Sequence, residues 1–266
     1  MANGMSNCLR DALRLENGGV VSLVGAGGKT SLMFRLAREL SQKGERVLTT
    51  TTTRMYAPTA EQSPEVILAG TAEEILDRAA PFLGKLRHVT AGAGLIADQK
   101  KISGLKPEVI DRLHASKVFE WIIVEADGAA GRPLKAPADH EPVVPGCTGW
   151  LVGTVGLSAL GKPLTDQWVF RPELFARITG LPAGAAVTEE AIAAALGHAQ
   201  GILKGAPNEC RCLAFLNQAD DPGRLAAGLK ICGLLKRHGP SRILRLIAGQ
   251  ALGEPPVSAV FDLSGC

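Results

Sequence analysis

Residues 20–40 read VVSLVGAGGKTSLMFRLAREL, and this stretch decides how the rest of the chain is organised. A short apolar run from Val20 to Val24 leads into a glycine-rich segment, and apolar residues at helical spacing follow it. Glycines let a backbone pass close to phosphate oxygens because no Cβ blocks the approach, and the first turn of a helix attracts anions. The stretch therefore predicts a strand, a phosphate-binding loop (P-loop) and a helix.

The loop carries the side chains that phosphate chemistry needs. We expect Lys29 to bind the terminal phosphates and the hydroxyl of Thr30 to bind magnesium. The full P-loop pattern has an earlier glycine where this chain has Leu23, so a shorter Gly-x-Gly-Gly-Lys-Thr loop remains. A dinucleotide site fits less well, since Thr30 stands at the third fingerprint position and only threonines end the next strand. A glycine-rich turn without a ligand is the other alternative. The predicted nucleotide-binding residues of the loop are Gly25, Ala26, Gly27, Gly28, Lys29, Thr30 and Ser31.

The composition is that of a globular protein. Of the 266 residues, 46% are hydrophobic and 21% are charged, and the formal net charge is +3. A charge this small, with no lysine- or arginine-rich run, argues against a nucleic-acid partner. The N-terminus has no apolar signal segment and no run is long enough to span a bilayer, so we expect no membrane partner and a cytoplasmic location. Six cysteines without a Cys-x-x-Cys pair favour reduced thiols.

Apolar strands alternate with helical segments along the chain. The pattern predicts strands at 20–24, 46–50, 66–68, 88–91, 121–124, 150–155, 212–216, 242–247 and 257–261. It predicts helices at 8–15, 29–40, 71–81, 106–114, 172–180, 188–204 and 225–237, and a flexible turn at 91–94. This alternation is typical of a P-loop NTPase-like α/β fold, with a mostly parallel sheet and helices on both faces. We expect residues 1–266 to form a single P-loop-type α/β domain with a small helical insert at about 160–208.

Two acids, Glu125 and Asp127, end the apolar strand 121–124. Side chains alternate along a strand, so both carboxylates point to the same side at its carboxyl end. An apolar strand that ends in acids downstream of a P-loop is typical of a Walker-B element, in which one carboxylate orients magnesium and another positions the nucleophile. We predict Lys29, Glu125 and Asp127 as catalytic residues and Asp127 also as a metal ligand. A strand-to-loop boundary without chemistry is the alternative.

Five consecutive threonines, residues 49–53, end the second strand at the edge where α/β sheets bind ligands. Thr51 is predicted as a metal ligand, and Arg54 as a contact to phosphate or substrate. Arg132 and Lys135, in the loop after the acids, are predicted to make similar contacts. A threonine-rich strand with a solvated face and solvated loop cations are the alternatives.

Asn217-Gln218-Ala219-Asp220 follows a late apolar strand and is similar to the Asn-Lys-x-Asp pattern of guanine-specific P-loop proteins. Asn217 and Asp220 are therefore predicted to bind the base. Gln218 replaces the lysine of that pattern, so the pattern does not decide for guanine over adenine. The expected nucleotide is ATP or GTP, bound with Mg²⁺. The alternative is a helix start capped by Asp220 or Asp221.

The chain resembles the YqeC family of selenium-cofactor biosynthesis proteins, also described as accessory proteins of selenium-dependent molybdenum hydroxylases. The resemblance rests on SLVGAGGKTSLMFRLA from Ser22, TTTTRM ending at Met55, VEADGAAGRPLKAPADHEPVVP from Val124 and, in support, FLNQADD from Phe215. It implies a role in maturing a selenium-containing molybdenum cofactor. The implied partner is a selenium-dependent molybdenum hydroxylase or a selenium donor protein.

Three functions fit these patterns. The leading hypothesis is a magnesium-dependent nucleoside triphosphatase that couples hydrolysis or phosphoryl transfer to cofactor maturation. The second is a binding module whose docking is switched by nucleotide without useful turnover. The third is an ATP-dependent ligase or a small-molecule kinase that phosphorylates a carboxylate.

Overall fold

The structure, a computed structural model, describes residues 7–237 and 242–263. The strands are β1 (Gly19–Gly25), β2 (Val47–Thr51), β3 (Arg54–Tyr56), β4 (Val66–Leu68), β5 (His88–Gly92), β6 (Gly94–Ile96), β7 (Lys101–Ser103), β8 (Trp121–Glu125), β9 (Leu134–Lys135), β10 (Thr148–Gly156), β11 (Val169–Phe170), β12 (Arg211–Asn217), β13 (Ile243–Gly249) and β14 (Val257–Asp262). The helices are α1 (Leu9–Ala12), α2 (Lys29–Gln42), α3 (Ala72–Leu83), α4 (Pro107–Ala115), α5 (Pro172–Thr179), α6 (Glu189–Gly197) and α7 (Pro222–Arg237).

Nine strands form the main sheet, in the order β14-β13-β12-β10-β1-β8-β2-β5-β4. All neighbours in it are parallel except β14, which pairs antiparallel with β13 at the edge. The predicted P-loop NTPase-like α/β fold with a mostly parallel sheet is confirmed. Strand β1 lies between β8 and β10, so the chain segments that follow these three strands all meet at one edge.

Helices cover both faces of this sheet, as the sequence predicts. Side chains alternate along β1, so Val20 and Val24 enter one buried cluster and Val21 and Leu23 enter the other. Helices α1 and α2 contribute their apolar residues to the cluster of Leu23, and α3 to α7 contribute theirs to the cluster of Val24. Both faces of β1 are therefore buried away from water, which explains its continuous apolar run.

Several element boundaries differ from the prediction. Helix α6 ends at Gly197 instead of residue 204, and Gly201 then makes a turn by donating its N–H to His198. Glycines at both positions lower helix propensity, which an alanine-rich pattern hides. Helices α5 and α6 both lie within the predicted insert at 160–208.

The turn predicted at 91–94 is shorter than expected and consists of Ala93 alone, because Gly92 ends β5 and Gly94 begins β6. Strand β6 belongs to a second, antiparallel sheet in the order β3-β7-β6, and β9 pairs in parallel with β11 in a third. The strands of these two smaller sheets have only two or three residues, too few to show an alternating pattern, so the sequence did not predict them. None of the helices within residues 7–237 and 242–263 combines the length and the apolar character needed to cross a membrane.

Candidate functional site

The predicted P-loop joins the end of β1 to the start of α2, at the carboxyl edge of the main sheet. Its glycines are required by close packing. Gly27 has φ of 80°, and a Cβ there would lie 2.3 Å from the backbone nitrogen of Gly156. Gly28 has φ of 118°, and a Cβ there would lie 2.2 Å from Nδ2 of Asn217. The backbone can make this turn only with glycine at both positions.

Neighbouring strand ends hold the loop from several sides. The N–H of Ala26 donates to the carbonyl of Thr154 (2.9 Å), and that of Gly27 donates to the carbonyl of Arg132 (3.1 Å). The side chain of Asn217 donates to the carbonyl of Gly27 (2.7 Å). The loop conformation is thus fixed by β10, by the segment after β8 and by β12.

Four of the predicted residues come together where α2 begins. Nζ of Lys29 lies 2.6 Å from the carbonyl oxygen of Gly25 and 3.1 Å from Oδ1 of Asp127. The hydroxyl of Thr30 donates to Oε2 of Glu125 (2.7 Å), and Glu125 Oε1 lies 4.0 Å from Lys29 Nζ. Burial raises the pKa of Glu125, against the opposing effects of Lys29 and Thr30. The arrangement is a buried pair of acids facing a lysine and a hydroxyl at a helix N-terminus.

These oxygen atoms fit a magnesium ion. Oδ1 of Asp127 is buried without a hydrogen-bond partner, and Nζ of Lys29 lies 3.1 Å from it as an ion pair. Carboxylate and hydroxyl oxygens are hard ligands of the kind Mg²⁺ prefers. Within the described part of the chain, no group of three His, Cys, Asp or Glu could hold a metal by itself. A site of few protein oxygens suits Mg²⁺, which is commonly shared between one or two carboxylates and substrate phosphates.

The remaining predicted contacts lie around this centre. The hydroxyl of Thr51 donates to the backbone carbonyl of Glu125 (2.7 Å) and accepts from the N–H of Thr53 (3.0 Å), so the structure gives it partners other than the carboxylates. Ser31 is half-buried in the first turn of α2, and Arg54 is exposed on β3. The guanidinium of Arg132 donates to the backbone carbonyls of Ala130 and Asp166.

Lys135 lies directly behind Asp127. Its Nζ is 3.0 Å from Oδ2 of Asp127 and 2.7 Å from Oε2 of Glu141, and Glu141 in turn pairs with Arg171 (2.6 Å). Neither Glu141 nor Arg171 is among the site residues predicted from the sequence. The one available signal was that Glu141 falls within the long motif that begins at Val124.

The two predicted base contacts are not equivalent. The amide of Asn217 bridges two loops, since Oδ1 accepts from the N–H of Ala251 (2.9 Å) while Nδ2 binds the P-loop. The carboxylate of Asp220 instead pairs with Arg224 (2.5 Å) on the first turns of α7. Asp221 accepts from the N–H of Arg224 (2.9 Å), which is the helix-capping arrangement given above as the alternative.

Comparison with known proteins gives one clear family match. The family model described as YqeC protein matches residues 21–173, more than half of the chain. The curated relative called uncharacterized protein YqeC, from Escherichia coli (strain K12), is 35% identical over 226 residues, which cover 82% of this chain and 83% of the relative.

A solved structure shows a weaker likeness. It is the signal recognition particle 54 kDa protein from Aeropyrum pernix K1 in complex with GDP, with a TM-score of 0.41 and 15% identity. The match covers 94% of this chain and 45% of that chain, so this chain spans less than half the length of that structure. A likeness at this level supports no conclusion about the present chain, whose fold is established by its own strand order.

Proposed function

This chain belongs to the YqeC family, and we propose that its phosphate-loop site makes it a magnesium-dependent protein that binds and hydrolyses a nucleoside triphosphate. One observation carries the proposal. The lysine and hydroxyl at the start of α2 face the two acids at the end of the adjacent strand β8, with Lys29 at 3.1 Å from Asp127 and Thr30 at 2.7 Å from Glu125.

Each residue has a role in this proposal. The first N–H groups of α2, at the end of the glycine loop, bind the phosphates, because the N–H groups of Gly25, Ala26 and Gly27 already donate within the protein. Lys29 turns from Asp127 to the terminal phosphate. The oxygens of Thr30 and Asp127 would hold magnesium, and Thr51, which pairs with Glu125 across β2 and β8, would be a further oxygen at the same sheet edge. Bound magnesium neutralises charge on the phosphate oxygens. Glu125, whose raised pKa favours proton uptake, orients the attacking water and accepts its proton.

The nucleotide is ATP or GTP, and Asn217 connects the P-loop to the loops after β12 and β13 where the base would lie. Arg54 and Arg132 are the proposed contacts to phosphate or substrate nearer the surface. We further propose a cytoplasmic accessory role in maturing a selenium-containing molybdenum cofactor, with a selenium-dependent hydroxylase or a selenium donor as partner. This part rests on the family resemblance.

Removing the ammonium of Lys29 tests the proposal. In the variant Lys29→Ala, the affinity for ATP and GTP should fall, because each charge-assisted contact to a phosphate contributes about 1.5–3 kcal/mol. That corresponds to roughly 10-fold or more in Kd. The measurement is nucleotide titration at physiological salt with magnesium.

Lys43→Ala is the matched control, since Lys43 is an exposed lysine just after the other end of the same helix. It should bind nucleotide as the wild type does. Equal affinities of wild type and Lys29→Ala would contradict the P-loop assignment. Phosphate release that rises with a partner favours the enzyme, binding without turnover favours the nucleotide switch, and phosphate on a carboxylate acceptor favours the ligase or kinase.

A further inference from the structure

Lys135 is fully buried, and its ammonium has as many oxygen partners as it has N–H groups. Nζ lies 2.6 Å from the carbonyl of Gly128, 2.7 Å from Glu141 and 3.0 Å from Asp127. Gly128 and Glu141 accept hydrogen bonds from two of its three N–H donors, and Asp127 forms an ion pair with the same ammonium. The side chain has no exposed surface. Whatever Lys135 does must therefore act through Asp127 and Glu141.

The carboxylate of Asp127 is held by different groups on its two oxygens. Oδ2 accepts from the N–H of Gly25 (3.0 Å) and lies against Lys135, whereas Oδ1 faces Lys29. In the function proposed above, Lys29 leaves this contact for a phosphate. Lys135 is then the cation that remains beside Asp127, and it keeps the Asp127 carboxylate in the same orientation.

Glu141 fixes Lys135 from the other side. It accepts two hydrogen bonds from the guanidinium of Arg171, at 2.6 and 3.2 Å, in addition to the one from Lys135. Burial by itself would raise the pKa of Glu141, but the hydrogen bonds from Arg171 and Lys135 outweigh it and lower this pKa to about 2. Glu141 is thus charged throughout the physiological range.

Arg171 connects this ion-pair chain to α5. It stands immediately before the helix with φ of 63° and ψ of 64°, a left-handed conformation that is uncommon for a residue other than glycine. A second connection runs through the backbone, because Phe170 on β11 pairs in register with Lys135 on β9. Two independent contacts thus attach the start of α5 to the residue behind Asp127.

We propose that Lys135, Glu141 and Arg171 form a positioning relay, which holds the Asp127 carboxylate for the magnesium–nucleotide complex and couples occupancy of the site to α5. The inference rests on the proposed function and adds regulation to it. The relay residues are positioning residues, since they act on the nucleotide through Asp127.

Three variants test the relay: Lys135→Met, Glu141→Gln and Arg171→Met. Turnover should fall about 10- to 100-fold, as is usual when residues behind a metal ligand are replaced. Nucleotide affinity measured in EDTA should stay at the wild-type value, while the gain in affinity on adding magnesium should shrink. Lys162→Met, at an exposed lysine over the Trp168 ring, is the control and should leave all three quantities unchanged.

Hydrogen exchange supplies a readout that does not depend on activity. In the wild type, magnesium and nucleotide should change the exchange of residues 172–179, and Arg171→Met should abolish that change. Arg171→Lys keeps the positive charge and should restore part of it. If Lys135→Met does not fold, Glu141→Gln decides the question, because it removes a charge at nearly constant shape.

Two results would overturn the relay. The first is wild-type turnover and wild-type magnesium dependence in Glu141→Gln and Arg171→Met, which would leave the proposed nucleotide function standing. The second is a wild-type protein that binds no nucleotide, which would overturn the proposed function together with the relay.

Discussion

Asp127 is the side chain at which the charges of the site meet. It contacts Lys29 and Lys135 at 3.1 and 3.0 Å, and only 1% of it is exposed. Glu125 lies two residues earlier and is hydrogen-bonded to Thr30. Replacing either carboxylate by its amide keeps the shape and removes the charge, which separates binding from chemistry.

We therefore expect Asp127→Asn to fold and to bind nucleotide in EDTA but to lose magnesium-dependent turnover at least tenfold or so, since a neutral amide is a poorer ligand for a hard cation. Glu125→Gln should lower turnover by about 10²–10⁴-fold if it removes a general base. Phosphate release at saturating magnesium is the measurement, and the exposed Asp139→Asn is the control. Unchanged turnover in both active-site variants would show that the two acids are structural.

At this scale the sequence predicted the centre of the site and missed its surroundings. Lys29, Thr30, Glu125 and Asp127 could be placed together because they follow parallel strands that end at one edge. Glu141, in a loop, pairs with Arg171, which lies 30 positions later and directly follows a two-residue strand, and no periodicity reveals this pairing. Asp220 shows the opposite case, because a local i,i+4 partner, Arg224, competes for its carboxylate.

The P-loop can keep its shape only because its glycines carry no side chain. Gly27→Ala should destabilise the fold and abolish nucleotide binding, because a methyl group would lie 2.3 Å from the backbone nitrogen of Gly156 and neither backbone can move freely. Gly44→Ala is the matched control. Gly44 also has positive φ, 86°, but a Cβ there meets nothing within 4 Å.

The control should lose only about 1–2 kcal/mol of unfolding free energy for the left-handed conformation, and it should bind nucleotide as the wild type does. Urea unfolding and nucleotide titration measure the two effects separately. Equal losses of stability in Gly27→Ala and Gly44→Ala would mean that the loop can shift away from β10, contrary to the tight packing seen at Gly156.

The strands of the main sheet and the helices were predictable, whereas the short strands of the two smaller sheets were not. The apolar runs that became β1, β8, β10 and β12 are buried on both faces and needed no knowledge of their partners. The β3-β7-β6 sheet exists because Met55 and Ile102 find a common buried environment across the chain. That environment belongs to the tertiary structure, so it leaves little trace in the local sequence.

The free energy of unfolding of the whole molecule should decrease at acidic pH because of one buried histidine, His88. His88, on β5, is 6% exposed and lies 3.0 Å from the hydroxyl of Thr49. Burial lowers the pKa of His88 from 6.5 to about 4. The folded state therefore favours the neutral ring, and the unfolded chain binds the proton first as the pH falls.

The free energy of unfolding should thus decrease between pH 6.5 and 4, by about 3 kcal/mol at about 1.4 kcal/mol per pKa unit. His88→Gln should lack this decrease. Glu141, whose pKa is lowered from 4.5 to about 2, should add a separate loss only below pH 4.5. Urea unfolding of both proteins at several pH values is the test, and identical slopes between pH 6.5 and 4 would contradict the role of His88.

The strand order also determines when the site can exist during synthesis of the chain. Strand β1 ends at Gly25, but its neighbours in the sheet begin at Trp121 and Thr148, and the amide that clamps Gly27 arrives 190 residues later with Asn217. That amide is itself fixed by the N–H of Ala251. A polypeptide leaving the ribosome N-terminus first thus carries its phosphate loop unformed until Ala251 has emerged. Nucleotide would consequently engage only chains extended at least that far, so shorter translation products would not compete for it.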